Sequence, residues 1–183
     1  MAHLKLEGNS FPALSQEILD QAKKNLGFVP NMYTKMANNP ALIDAYTHTY
    51  NTFRAHSGFN SVEQEVVFLT VAYENNCEYC VAAHSFVGDM MTKVPTEVTD
   101  AIRNGIEIPD AKLEALSKLT RSLNAKRGFA DQEEVDAFLQ AGYTESHVLG
   151  IITGIAAKTM SNYSNHITNP EVDAAFAGRI WKK

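Results

Sequence analysis

Apolar residues recur along most of this chain at the three- and four-residue spacing of a helix, and no run alternates in the two-residue rhythm of a half-buried strand. Leu14, Ile18, Leu19 and Ala22 form a first amphipathic stretch, followed by a loop over Gly27, Pro30 and Asn31. Asn39-Pro40 has the form of a helix start, with Asn as cap and Pro in the first turn. Leu42, Ala45, Tyr46, Thr49 and Phe53 would make the apolar face of that helix. Ser57-Gly58-Phe59-Asn60 reads as a break. Ser61 with Gln64 predicts a capping box for a helix running to about Glu74. Asn75-Asn76 interrupts the pattern just before Cys77, and a helix resumes through His84 to about Met91. Pro95 and Pro109 each suit a first helical turn. Asp131 with Glu134 predicts a second capping box, for a helix ending near Gln140 before Gly142. The longest helical pattern runs from Thr144 to about Ile167 over Val148, Leu149, Ile151, Ile152, Ile155 and Met160, and Pro170 suits the start of a short last helix.

The expectation is an all-α protein of about eight helices. It is read as a single domain over 1–183, with a helical extension over about 1–60, a cysteine-bearing unit over about 61–105 and a second helical unit over about 106–183. Setting Glu63 against Glu145 brings Val66 onto Val148, Leu69 onto Ile151 and His84 onto His166, the pattern an internal duplication would leave. In that register Cys77 and Cys80 meet Thr159 and Asn162.

Composition narrows the class of function. Hydrophobic residues make up 45% of the 183 and charged residues 20%, ordinary for a globular protein. A net charge of -5, with no Lys/Arg run longer than a pair such as the terminal Lys182-Lys183, argues against nucleic acid as partner. No stretch approaches the roughly 18 apolar residues of a membrane span. Met1 to Ser10 lacks the apolar core of a signal peptide, so the cytoplasm is the expected compartment. There, a cysteine pair is more often catalytic or metal-binding than a structural staple.

The only two cysteines fall in Glu74-Asn75-Asn76-Cys77-Glu78-Tyr79-Cys80-Val81-Ala82-Ala83-His84. On a helix, residues three and four apart share a face, which brings Cys77 toward Cys80 and places His84 within reach of the Cys80 sulfur. A break at Asn75-Asn76 would set both cysteines in a first helical turn. Free N–H groups and the positive end of the helix dipole favour a thiolate there. Glu74 stands three residues before Cys77, and Glu65 lies on the preceding helix.

The segment from Ser61 to His84, with Glu65, Cys77-x-x-Cys80 and His84, resembles the alkylhydroperoxidase D (AhpD) and carboxymuconolactone decarboxylase family. Leu26-Gly27-Phe28-Val29-Pro30-Asn31 and Asn162-Tyr163-Ser164-Asn165-His166-Ile167 are similar to its peroxidase-related branch, so the resemblance covers about residues 26 to 176. It implies an AhpD-like helical fold, a homo-oligomer (trimer or hexamer), and peroxidase or disulfide-reductase chemistry without a cofactor. By position it implies that Cys80 attacks a small hydroperoxide, that Cys77 resolves, and that His84 and Glu65 relay protons. A lipoyl-type or thioredoxin-like dithiol would then restore the pair. One departure weakens the match to efficient peroxidases: Tyr79 stands where such proteins commonly carry His before the second cysteine.

Other readings of the same residues stay open. Cys77, Cys80, His84 and a glutamate could hold zinc or sense redox state without turnover. His84 could act as acid and base on a small lactone, although the decarboxylase members lack this cysteine pair. Glu74 is a candidate site residue, while Glu78 is expected to face solvent. His166 is expected in a structural or interface role, and His48 and His56 at the surface. Tyr46, Tyr50 and Phe53 read as core or the wall of a small apolar pocket. Met90-Met91 and Trp181 read as packing or interface residues.

Overall fold

The computed structural model describes residues 3, 4, 6 and 10–183, so the amino-terminal stretch read as lacking a signal peptide lies largely outside the described residues. Among the described residues the chain forms nine α-helices and no strand. They are α1 (Ala13–Leu26), α2 (Asn31–Met36), α3 (Pro40–His56), α4 (Ser61–Glu74), α5 (Glu78–Val87), α6 (Thr96–Asn104), α7 (Ala111–Ala125), α8 (Gln132–Gln140) and α9 (Glu145–Thr168). A π-helical turn, Gly88–Thr92, extends α5, and a 3-10 turn, Ala174–Arg179, lies near the carboxyl end. The helix beyond the expected eight is α2, where sequence suggested a loop. It opens directly after Pro30 and buries Met32 and Met36. The last turn starts later than Pro170, behind Asp173.

Local signals account for most boundaries. Gly27 ends α1 in the left-handed region, at φ 82. The Asn39 side chain caps α3 by accepting from Leu42 N at 3.1 Å. The apolar face of α3 is rotated from the expected one: Ile43, Tyr46 and Phe53 are buried, while Ala45 is exposed. The capping box of α4 lies one residue earlier than expected, between Asn60 and Glu63. The Gln64 amide is used differently, donating to the carbonyls of Phe59 and Arg54 at 2.9 and 3.0 Å. The Asp131–Glu134 box of α8 forms as the pattern predicts.

The centre of the molecule is α4. Every residue from Glu63 to Ala72 is buried, because α5, α6, α7 and α9 all pack around it. The three stretches distinguished in the sequence interleave, and all contribute to one hydrophobic cluster. Two glycines let α9 approach closely. A Cβ on Gly150 would lie 2.7 Å from the Ser57 carbonyl oxygen, and one on Gly154 would lie 2.7 Å from Val67 Cγ1. The suggested duplication does not extend to environment. α4 breaks at Asn75-Asn76 whereas α9 runs through the matching point, and buried His84 corresponds to exposed His166.

Trp181 is buried, donating from Nε1 to the Arg103 carbonyl, whereas Met90 and Met91 are exposed on the π-helical turn. His48 and His56 are exposed. Among the described residues, no helix is long and apolar enough to cross a membrane.

Candidate functional site

The break between α4 and α5 is a built turn. Asn76 takes the left-handed conformation at φ 55, which asparagine tolerates better than most residues, and Cys77 N donates to Ala72 O at 2.9 Å. Two neighbours pin Asn75: its Nδ2 donates to Asn162 Oδ1 on α9 at 3.0 Å, and Asn124 Nδ2 on α7 donates to its Oδ1 at 2.9 Å. Cys77 then becomes the cap residue of α5 and Cys80 falls in its first turn, as the break in the pattern predicts.

Both cysteines are free thiols, each 1% exposed. One amide serves both, since Asn165 Nδ2 lies 3.3 Å from Cys80 Sγ and 3.5 Å from Cys77 Sγ. The Ser161 hydroxyl is 3.8 Å from Cys80 Sγ. The two thiols are unequal. Burial opposes ionisation of Cys80, but the Cys77 hydrogen bond, the charge of Lys158, His84 and the Ser161 hydroxyl together hold it well below the usual thiol range. Cys77 is pushed far up, first by donating to Cys80, then by burial and the neighbouring negative charge. These surroundings favour Cys80 over Cys77 as the more acidic thiol.

Behind the dithiol lies a buried polar row. His84 Nδ1 is 2.8 Å from Glu65 Oε2, and His84 Nε2 is 2.9 Å from Lys158 Nζ. Arg54 closes the row on the far side of Glu65 with a short ion pair and also donates to Tyr50 Oη at 2.8 Å. The environment sets the charges. Burial opposes ionisation of Glu65, yet His84 and Arg54 hold its carboxyl below the ordinary carboxylate range. Burial and the Lys158 charge hold His84 below its usual value against the pull of Glu65.

The structure thus gathers Cys77, Cys80, His84 and Glu65, but not in the expected wiring. Both His84 nitrogens are engaged away from the sulfurs, so the imidazole does not hydrogen-bond Cys80. Helical spacing puts the two residues on one face, but Glu65 and Lys158 then hold the ring between them. Glu74 is not part of the group: its carboxylate pairs with Arg121 Nε on α7 at 2.8 Å. Glu78 is exposed. Among the described residues, no group of three or more His, Cys, Asp or Glu side chains is disposed to hold a metal ion. His84 has no free nitrogen to offer one.

Cys77, but not Cys80, lines a polar cleft of about 300 Å³ that also involves Glu78, Tyr79, Asn165 and His166. His166 therefore borders the entrance while its ring stays exposed. Tyr79 is anchored: its hydroxyl donates to the Asp173 carboxylate and accepts from Met32 N at 3.4 Å. Burial and that carboxylate raise its pKa, so it remains a neutral strut tying the cysteine turn to α2 and the chain end.

Sequence reasoning missed the contribution of α9. Lys158, Ser161, Asn162 and Asn165 form one buried face of that helix, with Lys158 0% exposed. One signal was present: Lys158 is the only Asp, Glu, Lys or Arg between Glu145 and Glu171, a single charge inside an apolar helix.

Comparison with solved structures identifies the architecture. A peroxidase-related protein from Ralstonia eutropha JMP134, described as an alkylhydroperoxidase AhpD core, superposes with a TM-score of 0.83 at 20% identity, covering 99% of this chain and 98% of that one. The chain has an AhpD-like fold. An uncharacterized peroxidase-related protein from Silicibacter sp. TM1040 gives a TM-score of 0.82 at 19% identity over 97% of this chain and 95% of that one. The debrominase Bmp8, in complex with 2,3,4-tribromopyrrole, gives 0.73 at 18% identity over 91% and 89%. No protein-family model matches the chain, and no curated protein does. At these identities the likeness is one of AhpD-like fold alone.

Proposed function

We propose that the protein is a thiol-dependent oxidoreductase of the alkylhydroperoxidase type, with Cys80 as attacking thiolate and Cys77 as resolving thiol. The observation that carries this reading is the single Asn165 amide within hydrogen-bond reach of both sulfurs, which gathers the pair around one donor. In the reaction, Cys80 attacks the terminal oxygen of a hydroperoxide. The O–O bond breaks, the alkoxide leaves and takes a proton from water, and Cys80 becomes a sulfenic acid. The Cys77 thiol condenses with it, releasing water and forming a disulfide. A lipoyl-type or thioredoxin-like dithiol then attacks the disulfide and leaves as its own oxidised form. Cys77 borders the cleft, so its sulfur is the one the external dithiol meets first.

The debrominase neighbour supports a second substrate class on the same dithiol, in which the pair is oxidised to a disulfide, a proton replaces the halogen on carbon, and halide leaves. The polar lining of the cleft favours a small peroxide over a halogenated ring. A homo-oligomer (trimer or hexamer) is part of the proposal, supported by exposed Leu149, Ile152, Tyr163 and Ile167 along the outer face of α9. A histidine-based lactone reaction gains no support, because His84 has no free nitrogen facing a substrate.

The test is dithiol-driven hydroperoxide consumption, with bromide release from a bromopyrrole as a parallel assay. Cys80→Ser is expected to lose turnover entirely, and stoichiometric hydroperoxide should remove two thiols per chain from the unmodified protein. Full activity in Cys80→Ser would end the proposal.

A further inference from the structure

We propose that Lys158 is the counter-ion that ionises Cys80, and that His84, gripped between Lys158 and Glu65 as the neutral Nδ1–H tautomer, positions that lysine instead of taking the thiol proton. This rests on the dithiol reading above and replaces the His84–Glu65 proton relay that the family resemblance implies.

The argument begins with donors. A lysine ammonium can only donate, so His84 Nε2, 2.9 Å from Nζ, must accept. The ring proton then sits on Nδ1 and is given to Glu65 Oε2, 2.8 Å away. Both nitrogens are committed, and a neutral imidazole in this state has no lone pair facing Cys80.

Charge balance gives the second argument. Lys158 is 0% exposed, and among the described residues it pairs with no carboxylate. The one carboxylate in the row, Glu65, is shared by Arg54 and His84. A fully buried ammonium without an anion is costly, so a buried cation calls for a negative partner. The groups facing this core supply few choices. α5 brings Cys77, Cys80, Tyr79 and His84; α4 brings Glu65; α3 brings Tyr46, Tyr50 and Arg54; α2 brings Tyr33. The buried tyrosines are all raised, first by burial, and stay neutral. On α7, Lys112 pairs with Glu63, Lys118 with Glu114, and Arg121 with Glu74. The buried Asp173 carboxylate already accepts from Tyr79 Oη and Asn31 N, which leaves Cys80 as the group to carry the charge. Two contacts bring Lys158 and Cys80 to the same place, since Lys158 meets His84 at 2.9 Å and Ser161, one turn further along α9, lies 3.8 Å from Cys80 Sγ; the groups Arg54, Glu65, His84, Lys158 and Cys80 then alternate positive, negative, neutral, positive, negative.

The test reads ionisation without any peroxide. Alkylation of Cys80 by iodoacetamide, followed site by site with mass spectrometry across pH 5 to 10, gives the thiol midpoint. Lys158→Met is expected to raise that midpoint by at least about one pH unit and to slow alkylation about tenfold at pH values below both midpoints. Lys158→Arg keeps the cation and should restore most of the shift, which simple damage to packing would not allow. His84→Gln should move the midpoint less than Lys158→Met. An unmoved midpoint in Lys158→Met, or a larger shift in His84→Gln, overturns the inference. The unsubstituted protein provides a check that needs no variant to fold: the imidazole nitrogen shifts of His84 should report a neutral Nδ1–H ring from pH 6 to 8, and an Nε2–H or doubly protonated ring overturns the inference. If the midpoint behaves as expected but no hydroperoxide is consumed, the ionisation stands and the peroxidase reading falls.

Discussion

The α4–α5 junction and α9 build the same site from opposite kinds of information. At the junction everything needed is local: Asn75-Asn76 breaks one helix, and Cys77 and Cys80 take the first turn of the next. In α9 the ordinary arrangement of a surface helix is partly inverted. Lys158, Ser161, Asn162 and Asn165 face inward, while Leu149, Ile152, Tyr163 and Ile167 are exposed. The junction supplies the reactive atoms. In the proposed mechanism α9 supplies the cation and the hydrogen-bond donors that hold Cys80 as a thiolate. A helix read as a stripe of apolar residues over a core gives the wrong face for this work, because its inner face covers a dithiol and its outer face remains open.

The largest effect expected outside the chemistry comes from pushing α9 off its seat. Gly154→Val places a branched side chain against Val67 and Phe53, where even a Cβ would lie 2.7 and 2.9 Å from their atoms. The expected cost is about 1–3 kcal/mol, a fall in Tm of about 2–4 °C for each kcal/mol in a chain of this size. A thermal melt by circular dichroism checks it. A Tm equal to that of the unsubstituted protein would mean α9 does not sit as close as the two glycines indicate.

The pH dependence of stability probes the charge row shared by the two regions. Burial opposes charge on Glu65 and Cys80, yet their neighbours hold both below their ordinary ranges, and burial with Lys158 lowers His84. Each of these groups binds fewer protons folded than unfolded, so stability should rise with pH from about 4 to about 8.5. Cys77 is shifted the other way and keeps its proton in the folded chain. Above about 8.5 the unfolded chain loses that proton first, and stability should fall. The expected Tm maximum is therefore near pH 8. In Cys77→Ser/Cys80→Ser the alkaline fall attributable to Cys77 should disappear and the rise toward pH 8 should flatten. A Tm maximum near pH 5 would contradict the assigned row.

The smallest effect on folding separates the two faces of α9. Ile152→Ser with Tyr163→Ser should change monomer stability by no more than about 0.5 kcal/mol per site and leave Cys80 alkylation unchanged. It should reduce the assembly mass in sedimentation. An unchanged mass would remove the outer face from the proposed interface, and a slowed thiol would mean that the two faces are coupled.

Several features were legible from short-range pattern because their causes are short-range. Asn39 before Pro40, Asp131 with Glu134, the Asn75-Asn76 interruption and the dithiol in a first turn all depend on residues within one helical turn. The capping box at Asn60 was misplaced by one residue because Ser61 and Gln64 carry the same signature. Glu74 was placed near the cysteines by closeness in sequence, but α7 approaches on that side and Arg121 takes its carboxylate.

By itself, then, the sequence determined an all-helical chain with its breaks, and a dithiol at a helix start. Tertiary structure alone set the unequal surroundings of the two cysteines, which favour Cys80 as the proposed thiolate. That inequality depends on Lys158 and Asn165, about eighty residues further along the chain, and on the exclusion of water from both sulfurs. Helical periodicity reports only that some face of α9 is buried. It cannot report that the buried face meets two thiols and a histidine, because burial and charge balance are settled by what packs against a helix.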